Sequence, residues 1–173
     1  AYGFAYKDAE QSKGVCEEVF ADTLGGHCLV SNKSVWRNFP WVWNEHWSFK
    51  NMVLIGDALH TAHFSIGSGT RLAIEDAIAL VKALDAHPAD LPAALARYEA
   101  ERKPIVQKLV TAARTSADWY EAFPDHMKLD LMDFAFSYIT RSGRIDPVRL
   151  RAMSPQFMAR YDAARSLDKV GSR

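Results

Sequence analysis

Apolar and polar positions are patterned most regularly between residues 52 and 84, where a continuous apolar run is followed by apolar residues at helical spacing. Residues 52–55 (MVLI) form a short apolar run that ends at Gly56-Asp57, which is typical of a buried strand. From Thr70 onward, apolar residues recur three and four positions apart, as on one face of a helix: Leu72, Ala73, Ala77, Leu80, Val81 and Leu84. Because a polar loop and a glycine turn separate the two runs, this stretch predicts strand, loop, turn and helix.

The remaining hydrophobic pattern predicts a mostly helical chain with a small amount of strand. Residues 29–43 are rich in aromatic residues and valine and predict one or two strands, with Pro40 at an edge or bend. Pro104 lies inside the longest helical pattern and should kink that helix or divide it in two. The predicted helices cover residues 14–27, 91–114, 126–140 and 155–165, and a break is expected at residues 119–124.

Composition and charge restrict the class of protein without identifying its chemistry. The 173 residues are 49% hydrophobic and 24% charged, with a formal net charge of zero, as expected for a globular domain. Zero net charge gives no reason to expect nucleic acid or an anionic membrane as a partner, and no apolar run approaches the roughly 20 residues that span a bilayer. Cys16 and Cys28 lack the spacing of a metal site, so we expect two reduced thiols in a cytoplasmic protein.

The glycine turn at residues 67–69 (GSG) is the first candidate for ligand binding. Glycines let backbone N–H groups and the positive end of the following helix approach a phosphate, a carboxylate or an electron-rich ring edge. Asp57 follows the predicted strand, where its carboxylate could accept hydrogen bonds from vicinal hydroxyl groups or cap its own loop. A serine hydrolase is excluded because no glycine stands two residues before Ser68. His60 and His63 lack the further ligands of a metal site, and His60 is expected to be packed and hydrogen-bonded.

Three consecutive motifs resemble the second FAD-binding motif of the class A flavoprotein monooxygenases: residues 56–60 (GDALH), 67–69 (GSG) and 72–77 (LAIEDA). The resemblance implies that Asp57 holds the ribityl chain of FAD and that the N–H groups of Thr70 and Arg71 face the N1/O2 edge of the flavin ring. It assigns eight residues to cofactor binding: Gly56, Asp57, Phe64, Gly67, Ser68, Gly69, Thr70 and Arg71. It also implies NAD(P)H as electron donor and hydroxylation of a small aromatic substrate, and it identifies no catalytic acid or base.

Two departures from the common family pattern indicate a narrower subgroup. His63-Phe64 replaces a Pro-Pro pair, and Arg71 replaces an Asn that many members have. With these residues the chain resembles the enzymes that hydroxylate aromatic acyl-CoA thioesters, such as salicylyl-CoA and anthraniloyl-CoA. On the same basis His63 and Trp41 are candidate substrate-binding residues, with ordinary sheet packing as the alternative for the tryptophan. The Arg71 side chain is expected either beside the flavin or substrate channel, or in solvent on the helix surface.

A second helical motif, residues 96–104 (ARYEAERKP), resembles the YExxRxP helix of the same family. Glu99 and Arg102 lie three positions apart in it, which predicts a surface ion pair worth roughly a few tenths of a kcal/mol. Glu75 and Asp76 are predicted to be structural. They would complement the dipole at the start of their own helix, with a hydrogen bond to a neighbouring loop as a further option.

These observations predict an α/β (α+β) fragment of a larger flavoprotein. Residues 1–50 would be the end of a substrate-domain sheet and a crossover, residues 51–90 the strand, loop and helix of a Rossmann-like FAD-binding domain, and residues 91–173 a helical C-terminal region. The chain has no initial Met and no strand–GxGxxG–helix unit for the ADP half of FAD, so that N-terminal half is expected on a preceding segment. A homodimer is a further expectation.

Two alternatives stay open on the sequence alone. A related flavoprotein reductase or halogenase would share this fold and differ in its N-terminal signatures. A non-catalytic helical interaction module would need no cofactor, and its glycine turn would only start a helix. The residues that precede Ala1 discriminate between these classes, because a GxGxxG unit there favours a flavoprotein.

Overall fold

The computed structural model describes residues 7–32, 35 and 38–171, with side chains up to residue 166. The chain forms two compact units, residues 1–40 and residues 41–173. The divisions that the sequence predicts at residues 50 and 90 stay predictions.

Two short helices make up the regular structure described in the first unit. α1 (Ala9–Val19) begins at Asp8, whose carboxylate accepts a hydrogen bond from the Gln11 N–H (2.8 Å), while the Gln11 side chain accepts one from the Asp8 N–H (3.2 Å). This reciprocal capping box satisfies two N–H groups at the helix start. α2 (Ala21–Leu24) ends at Gly25 in the left-handed conformation, with φ 55°. The predicted glycine stop is therefore confirmed, but the single helix expected over residues 14–27 is two helices.

The strands expected between residues 29 and 43 are wrong for the described part of that segment. Residues 29–32, 35 and 38–42 have no regular secondary structure, and Trp43 forms one isolated antiparallel bridge with His60. Trp36, a further aromatic residue of this predicted strand segment, lies outside the described residues. A strand needs a paired neighbour, and the described chain offers residues 42–43 only the short stretch at residues 60–61.

A two-residue hairpin is the sheet that the described residues of the second unit contain. β1 (Ser48–Phe49) pairs antiparallel with β2 (Met52–Val53), in the register Ser48 with Val53 and Phe49 with Met52. The buried strand predicted at residues 52–55 is therefore wrong in length and in burial, because 60% of Met52 and 40% of Ile55 is exposed. A two-stranded hairpin has no second layer to cover both of its faces.

Six helices follow in the described residues: α3 (Gly69–Ala86), α4 (Leu91–Glu121), α5 (Phe123–His126), α6 (Leu131–Thr140), α7 (Pro147–Met153) and α8 (Pro155–Gly171). α4 continues through Pro104, so the predicted division there is wrong. Pro104 and the residue four positions before it are exposed, which lets water satisfy the carbonyl that loses its N–H partner. α7 was not predicted, although Asp146-Pro147 is a normal helix start, with the Asp146 carboxylate accepting from the Arg149 N–H (2.7 Å).

The predicted break at residues 119–124 begins too early, because Trp119 is still helical and nearly buried. Its indole Nε1 donates a hydrogen bond to Ser137 Oγ in α6 (2.7 Å), and its ring stacks on His126 with centroids 4.3 Å apart. These contacts hold the last turn of α4 in place. α6 starts later than predicted, after Asp130, whose carboxylate accepts hydrogen bonds from the first-turn N–H groups.

The core of the second unit lies where α3 and α4 pack on the hairpin and the segment that follows it. Five large side chains there are at most 1% exposed: Trp47, Leu59, Leu72, Tyr98 and Val106. The rings of Trp47 and Tyr98 lie 5.3 Å apart. This packing fixes the segment between β2 and α3 against both helices, and that segment carries the predicted site. In the part of the chain that the structure describes, no helix combines the length and the apolar character needed to cross a bilayer.

Candidate functional site

A cavity of about 650 Å³ opens where the 3₁₀ turn Gly56–Ala58, the loop after it and the start of α3 converge. Six of the eight predicted cofactor-binding residues line it: Asp57, Phe64, Gly67, Ser68, Gly69 and Thr70. Gly56 is buried in the same turn, and the Arg71 side chain is not among the lining groups. The fold therefore gathers most of the predicted set around one space.

The first residues of α3, of which Gly69 and Thr70 line this cavity, have backbone N–H groups without an acceptor inside the helix. The first hydrogen bond within the helix is donated by the Leu72 N–H to the Ser68 carbonyl (2.9 Å), so the three preceding N–H groups have no helical acceptor. Ser68 Oγ donates to the Ile66 carbonyl (3.2 Å) and does not cap the helix. A Cβ on Gly69 would meet nothing within 4 Å. An anionic or electron-rich ring edge therefore fits here, close to the positive end of the helix dipole.

Gly56 is required by both conformation and space. Its φ is 59°, and a Cβ added to it would lie 3.2 Å from Cβ of Ala73 in α3. The absence of a side chain lets the turn lie directly on the helix, and this places Asp57 at the cavity, where its side chain is exposed.

Asp76 of α3 is fully buried, and its hydrogen bonds link the 3₁₀ turn Gly56–Ala58 to α3 and α4. Its Oδ2 accepts hydrogen bonds from the Gly56 N–H (3.1 Å) and from His60 Nε2 (2.8 Å), and its Oδ1 accepts one from Arg102 Nε (2.8 Å). Because an ionised carboxylate only accepts, His60 is the donor in its pair. The packed, hydrogen-bonded role predicted for His60 is confirmed. The hydrogen bond predicted between the acidic pair and a neighbouring loop is confirmed for Asp76, which accepts it from the Gly56 N–H. The predicted complement to the helix dipole is wrong, because α3 has no acidic residue in its first turn.

The ionised form of Asp76 is maintained by its partners. Burial by itself would raise the pKa of Asp76, but hydrogen bonds from His60, Arg102 and the Gly56 N–H outweigh it, so the pKa lies below the ordinary value of 3.8. Burial, together with the nearby Asp76 charge, raises the pKa of Tyr98, whose hydroxyl donates to a backbone carbonyl (3.4 Å). The centre of the unit therefore holds one charged carboxylate and a neutral phenol.

Arg102 is 5% exposed, and the predicted surface ion pair between Glu99 and Arg102 is wrong. Besides Asp76, its guanidinium pairs with Glu75 (Nη1–Oε2 2.9 Å) across the α3–α4 contact. Glu99 instead accepts hydrogen bonds from the Trp47 N–H (3.1 Å) and from the ammonium group of the lysine that follows Arg102 (3.0 Å). The packing of α3 on α4 determines these partners, and the i,i+3 spacing within α4 could not predict it.

Trp41, His63 and Phe64 stack in a row beside the cavity. The His63 and Phe64 ring centroids are 4.2 Å apart, and those of Trp41 and His63 are 6.5 Å apart, with interplanar angles of 29° and 21°. His63 Nδ1 accepts a hydrogen bond from the Ser65 N–H (3.2 Å), and the Arg114 guanidinium lies 5.8 Å from the Trp41 ring. The two predicted substrate-binding residues therefore lie next to a predicted cofactor-binding residue that lines the cavity.

The Arg71 side chain is 57% exposed and pairs with Glu75 one turn along α3 (Nε–Oε1 3.0 Å). This position favours the solvent-exposed alternative for the side chain. The Arg71 N–H is one of the three that lack a helical acceptor, so the role predicted for its backbone stays a prediction.

A family model described as an FAD binding domain matches residues 17–113, more than half of the chain. The chain belongs to the FAD binding domain family. The matched range includes the whole cavity and the Asp76 network. Membership argues against the alternative of a helical interaction module without a cofactor.

Relatives of this FAD binding domain confirm the resemblance to flavin-dependent aromatic monooxygenases. Salicyloyl-CoA 5-hydroxylase from Streptomyces sp is 42% identical over 135 residues, which are 77% of this chain and 26% of that protein. The 3-hydroxy-4-methyl-anthranilyl-(aryl-carrier protein) 5-monooxygenase from Streptosporangium sibiricum is 47% identical over 138 residues, 80% of this chain and 38% of that protein. The chain thus spans about a quarter to two fifths of the length of these relatives.

A solved structure is similar as well. The crystal structure of pqsL, a probable FAD-dependent monooxygenase from Pseudomonas aeruginosa, superposes with a TM-score of 0.52 at 28% identity, covering 79% of this chain and 37% of that one. The mixed fold of helices with a small two-stranded sheet is therefore similar to that of an FAD-dependent monooxygenase.

The buried group of Asp76, His60 and Arg102 in this FAD binding domain was not identified from the sequence. Each residue falls in one of the quoted motifs, but the partners lie 16 and 26 positions from Asp76. The sequence carries little signal for this group, because Asp76 follows another carboxylate and Arg102 stands among four other charged residues in residues 96–104 (ARYEAERKP). Across the described residues, no three His, Cys, Asp or Glu side chains are grouped to hold a metal ion.

Proposed function

We propose that this chain is the C-terminal part of an FAD- and NAD(P)H-dependent monooxygenase that hydroxylates an aromatic substrate, and that it holds the flavin end of FAD. The observation that carries the proposal is the cavity in which Asp57, the glycine turn and the start of α3 converge. Family membership and the names of the relatives support the same conclusion.

In this proposal the chain supplies position and electrostatics. Asp57 accepts hydrogen bonds from the ribityl hydroxyls, and the N–H groups of Thr70 and Arg71 donate to the pyrimidine edge of the flavin, where the dipole of α3 favours negative charge. Gly67 and Gly69 leave room for the ring. When bound, reduced FAD supplies the activation of O₂ from which one oxygen atom enters the aromatic ring. The row formed by Trp41, His63 and Phe64 offers flat apolar surface for that ring and keeps water from it.

The substrate class that we infer is an aryl thioester. One relative is named for salicyloyl-CoA and another for an anthranilyl group on an aryl-carrier protein. The His63-Phe64 pair, where much of the resembled family has two prolines, places an imidazole and a phenyl ring side by side at the cavity. This stacked pair is the local feature that supports an aromatic acyl group as the substrate.

We further propose that residues 51–90 complete a Rossmann-like FAD-binding domain whose N-terminal GxGxxG half lies elsewhere in the complete protein, and that residues 91–173 form its helical C-terminal region. An apolar stripe along α3 supports this arrangement: Ile74, Ile78 and Val81 are 56%, 49% and 55% exposed. Together with the exposed Met52 of β2, this stripe offers a surface on which further strands or helices of the same domain can pack.

Flavin analysis of the complete protein tests the proposal. Heat denaturation should release FAD in stoichiometric amount, and NAD(P)H oxidation should depend on an aryl-CoA such as salicyloyl-CoA and yield a hydroxylated product. Absence of bound flavin, or NAD(P)H oxidation without hydroxylation under every aryl substrate tried, would contradict it.

The isolated 173-residue chain tests the two-part arrangement separately. Because it lacks a glycine-rich unit for the pyrophosphate, it should leave gel filtration colourless after incubation with FAD. Stoichiometric yellow protein from this chain alone would show that the ADP half of the site is not needed.

A further inference from the structure

A second concavity, built from residues that have no role in the proposed flavin site, lies between α4 and the turn that joins α6 to α7. Its volume is about 620 Å³. α4 contributes side chains spaced three, four and seven positions apart, which therefore share one face of the helix. The residues that carry the argument are Lys108, Thr111 and Thr115 of α4, and Ser142, Gly143 and Arg144 of the turn.

The two charged side chains that line this concavity are both cations. Lys108 and Arg144 line it, and no Asp or Glu does. Within the described residues neither side chain has an ion-pair partner, whereas the neighbouring Arg149 donates to a backbone carbonyl (3.2 Å). The nearby carboxylate of Asp146 is occupied as the cap of α7. Two cations that line one concave surface with no carboxylate among its lining residues favour an anionic ligand.

The donors around these cations suit a phosphate group. Ser142 Oγ accepts from the Arg144 N–H (3.5 Å), which leaves the Ser142 hydroxyl proton free to donate to a ligand. Gly143 has a φ of 67°, and a Cβ there would meet nothing within 4 Å, so the backbone of the turn is open to an approaching ligand. The Thr115 hydroxyl lines the concavity but donates to the Thr111 carbonyl (3.1 Å), so the remaining donors are one guanidinium, one ammonium and the Ser142 and Thr111 hydroxyls. These are the groups with which proteins bind phosphate oxygens.

The concavity is connected to the proposed flavin site through α4. The Ala113 carbonyl, next to a lining residue of the concavity, accepts a hydrogen bond from Ser65 Oγ (3.4 Å), and Ser65 follows the cavity residue Phe64. Lys108 lies five residues before Ala113, or about 7.5 Å along the helix axis. Five residues also turn an α-helix by about 500°, so Lys108 projects about 140° around α4 from Ala113. A ligand with its aromatic end at Phe64 and its phosphate at Lys108 therefore needs a chain long enough to pass around the helix.

We propose that this concavity binds the phosphate of a phosphopantetheine arm, the group that CoA thioesters and carrier-protein thioesters share. The proposal rests on the proposed function for the identity of the aromatic substrate. In it, Lys108 and Arg144 determine specificity for phosphate-bearing thioesters over the free aromatic acid, and they take no part in the chemistry.

Direct binding of CoA to the complete protein is the first test. Lys108→Gln and Arg144→Gln should each raise the Kd of CoA measured by calorimetry about tenfold, since each removes one charge-assisted contact to phosphate. Lys82→Gln is the matched control, because Lys82 is an exposed lysine of α3 that does not line the concavity. Equal CoA affinity in the wild type and in both site variants would overturn the proposal.

Turnover with paired substrates is the second test. With salicyloyl-CoA the two variants should raise KM and leave kcat unchanged, and with salicyloyl-pantetheine, which lacks all phosphates and the adenosine of CoA, they should behave as the wild type. The same loss with an acylated carrier protein would assign the site to the tethered arm as well. An equal effect on both small thioesters, or an effect confined to the KM of NADPH, would overturn the assignment.

The two proposals fail separately in these experiments. Suppose that the wild type contains FAD and hydroxylates an aromatic substrate, and that the Lys108 and Arg144 variants bind CoA as tightly as the wild type. This result refutes only the phosphate site. Protein without flavin whose CoA affinity depends on both residues refutes the monooxygenase function and retains the phosphate site.

Discussion

Arg102→Leu should lower the free energy of unfolding by about 3–5 kcal/mol, the range for removing one partner of a buried ion pair. Arg102 is 5% exposed and Asp76 is fully buried. The change deletes the bond to Asp76 (2.8 Å), the bond to the Leu72 carbonyl (3.2 Å) and the pair with Glu75 (2.9 Å). Leucine fills part of the volume, so the loss comes mainly from a buried carboxylate left with only His60 and the Gly56 N–H as partners.

Arg97→Leu is the matched control on the same helix. Arg97 Nε lies 2.8 Å from Glu101 Oε1, the same distance as in the Arg102–Asp76 pair, but the two side chains are 43% and 62% exposed. Solvent screens such a pair, so the loss should stay below about 0.5 kcal/mol. The comparison holds residue type, helix and distance constant and varies burial.

The measurement is urea unfolding of the complete protein followed by circular dichroism, with bound flavin monitored in parallel. Adding Asp76→Asn to Arg102→Leu should recover part of the loss, because no buried charge then remains unpaired. Similar losses for the Arg102 and Arg97 variants, or strictly additive effects in the double variant, would refute the account of Asp76 as a buried charge that needs Arg102.

Three further outcomes are expected. Asp57→Ala should raise the Kd of FAD in the complete protein by about ten- to a hundredfold, with little change in the free energy of unfolding, since Asp57 is exposed and lines the cavity. An unchanged Kd of FAD in a flavin titration would contradict this role. Gly56→Ala should cost about 1–2 kcal/mol from its φ of 59° alone, with more from the 3.2 Å approach to Ala73, and a thermal melt equal to that of the wild type would disprove the close contact. Because the folded-state pKa of Asp76 lies below 3.8, its contribution to stability is complete above pH 3.8 and is lost as the pH falls through the lowered value. In a pH titration of the circular dichroism signal, Asp76→Asn should therefore weaken the loss of stability below pH 3.8. The same acid unfolding curve in the variant and the wild type would argue against linkage through this carboxylate.

The local sequence pattern was sufficient to predict structure where the stabilising interactions join residues close together in the chain. The start of α3 after the glycine turn and the stop of α2 at Gly25 follow from the backbone preferences of a few adjacent residues. The residues that line the cavity around Asp57 were also predictable as a group from the motifs, because a cavity formed by a turn and a helix start draws its lining from one short segment. The cavity then gathers them because that segment is continuous.

Tertiary structure decided the features that depend on which surfaces meet. The spacing of Glu99 and Arg102 is the same whether Arg102 pairs on the surface or enters the core, and only the packing of α4 on α3 brings Asp76 within 2.8 Å of it. Likewise, residues 52–55 are apolar whether or not a second layer covers them, and here β2 is a two-residue strand in which Met52 is exposed and Val53 is half-buried. Sequence periodicity reports which residues share a face, whereas burial and long-range pairing depend on what that face contacts, and spacing along one chain segment carries no information about the partner.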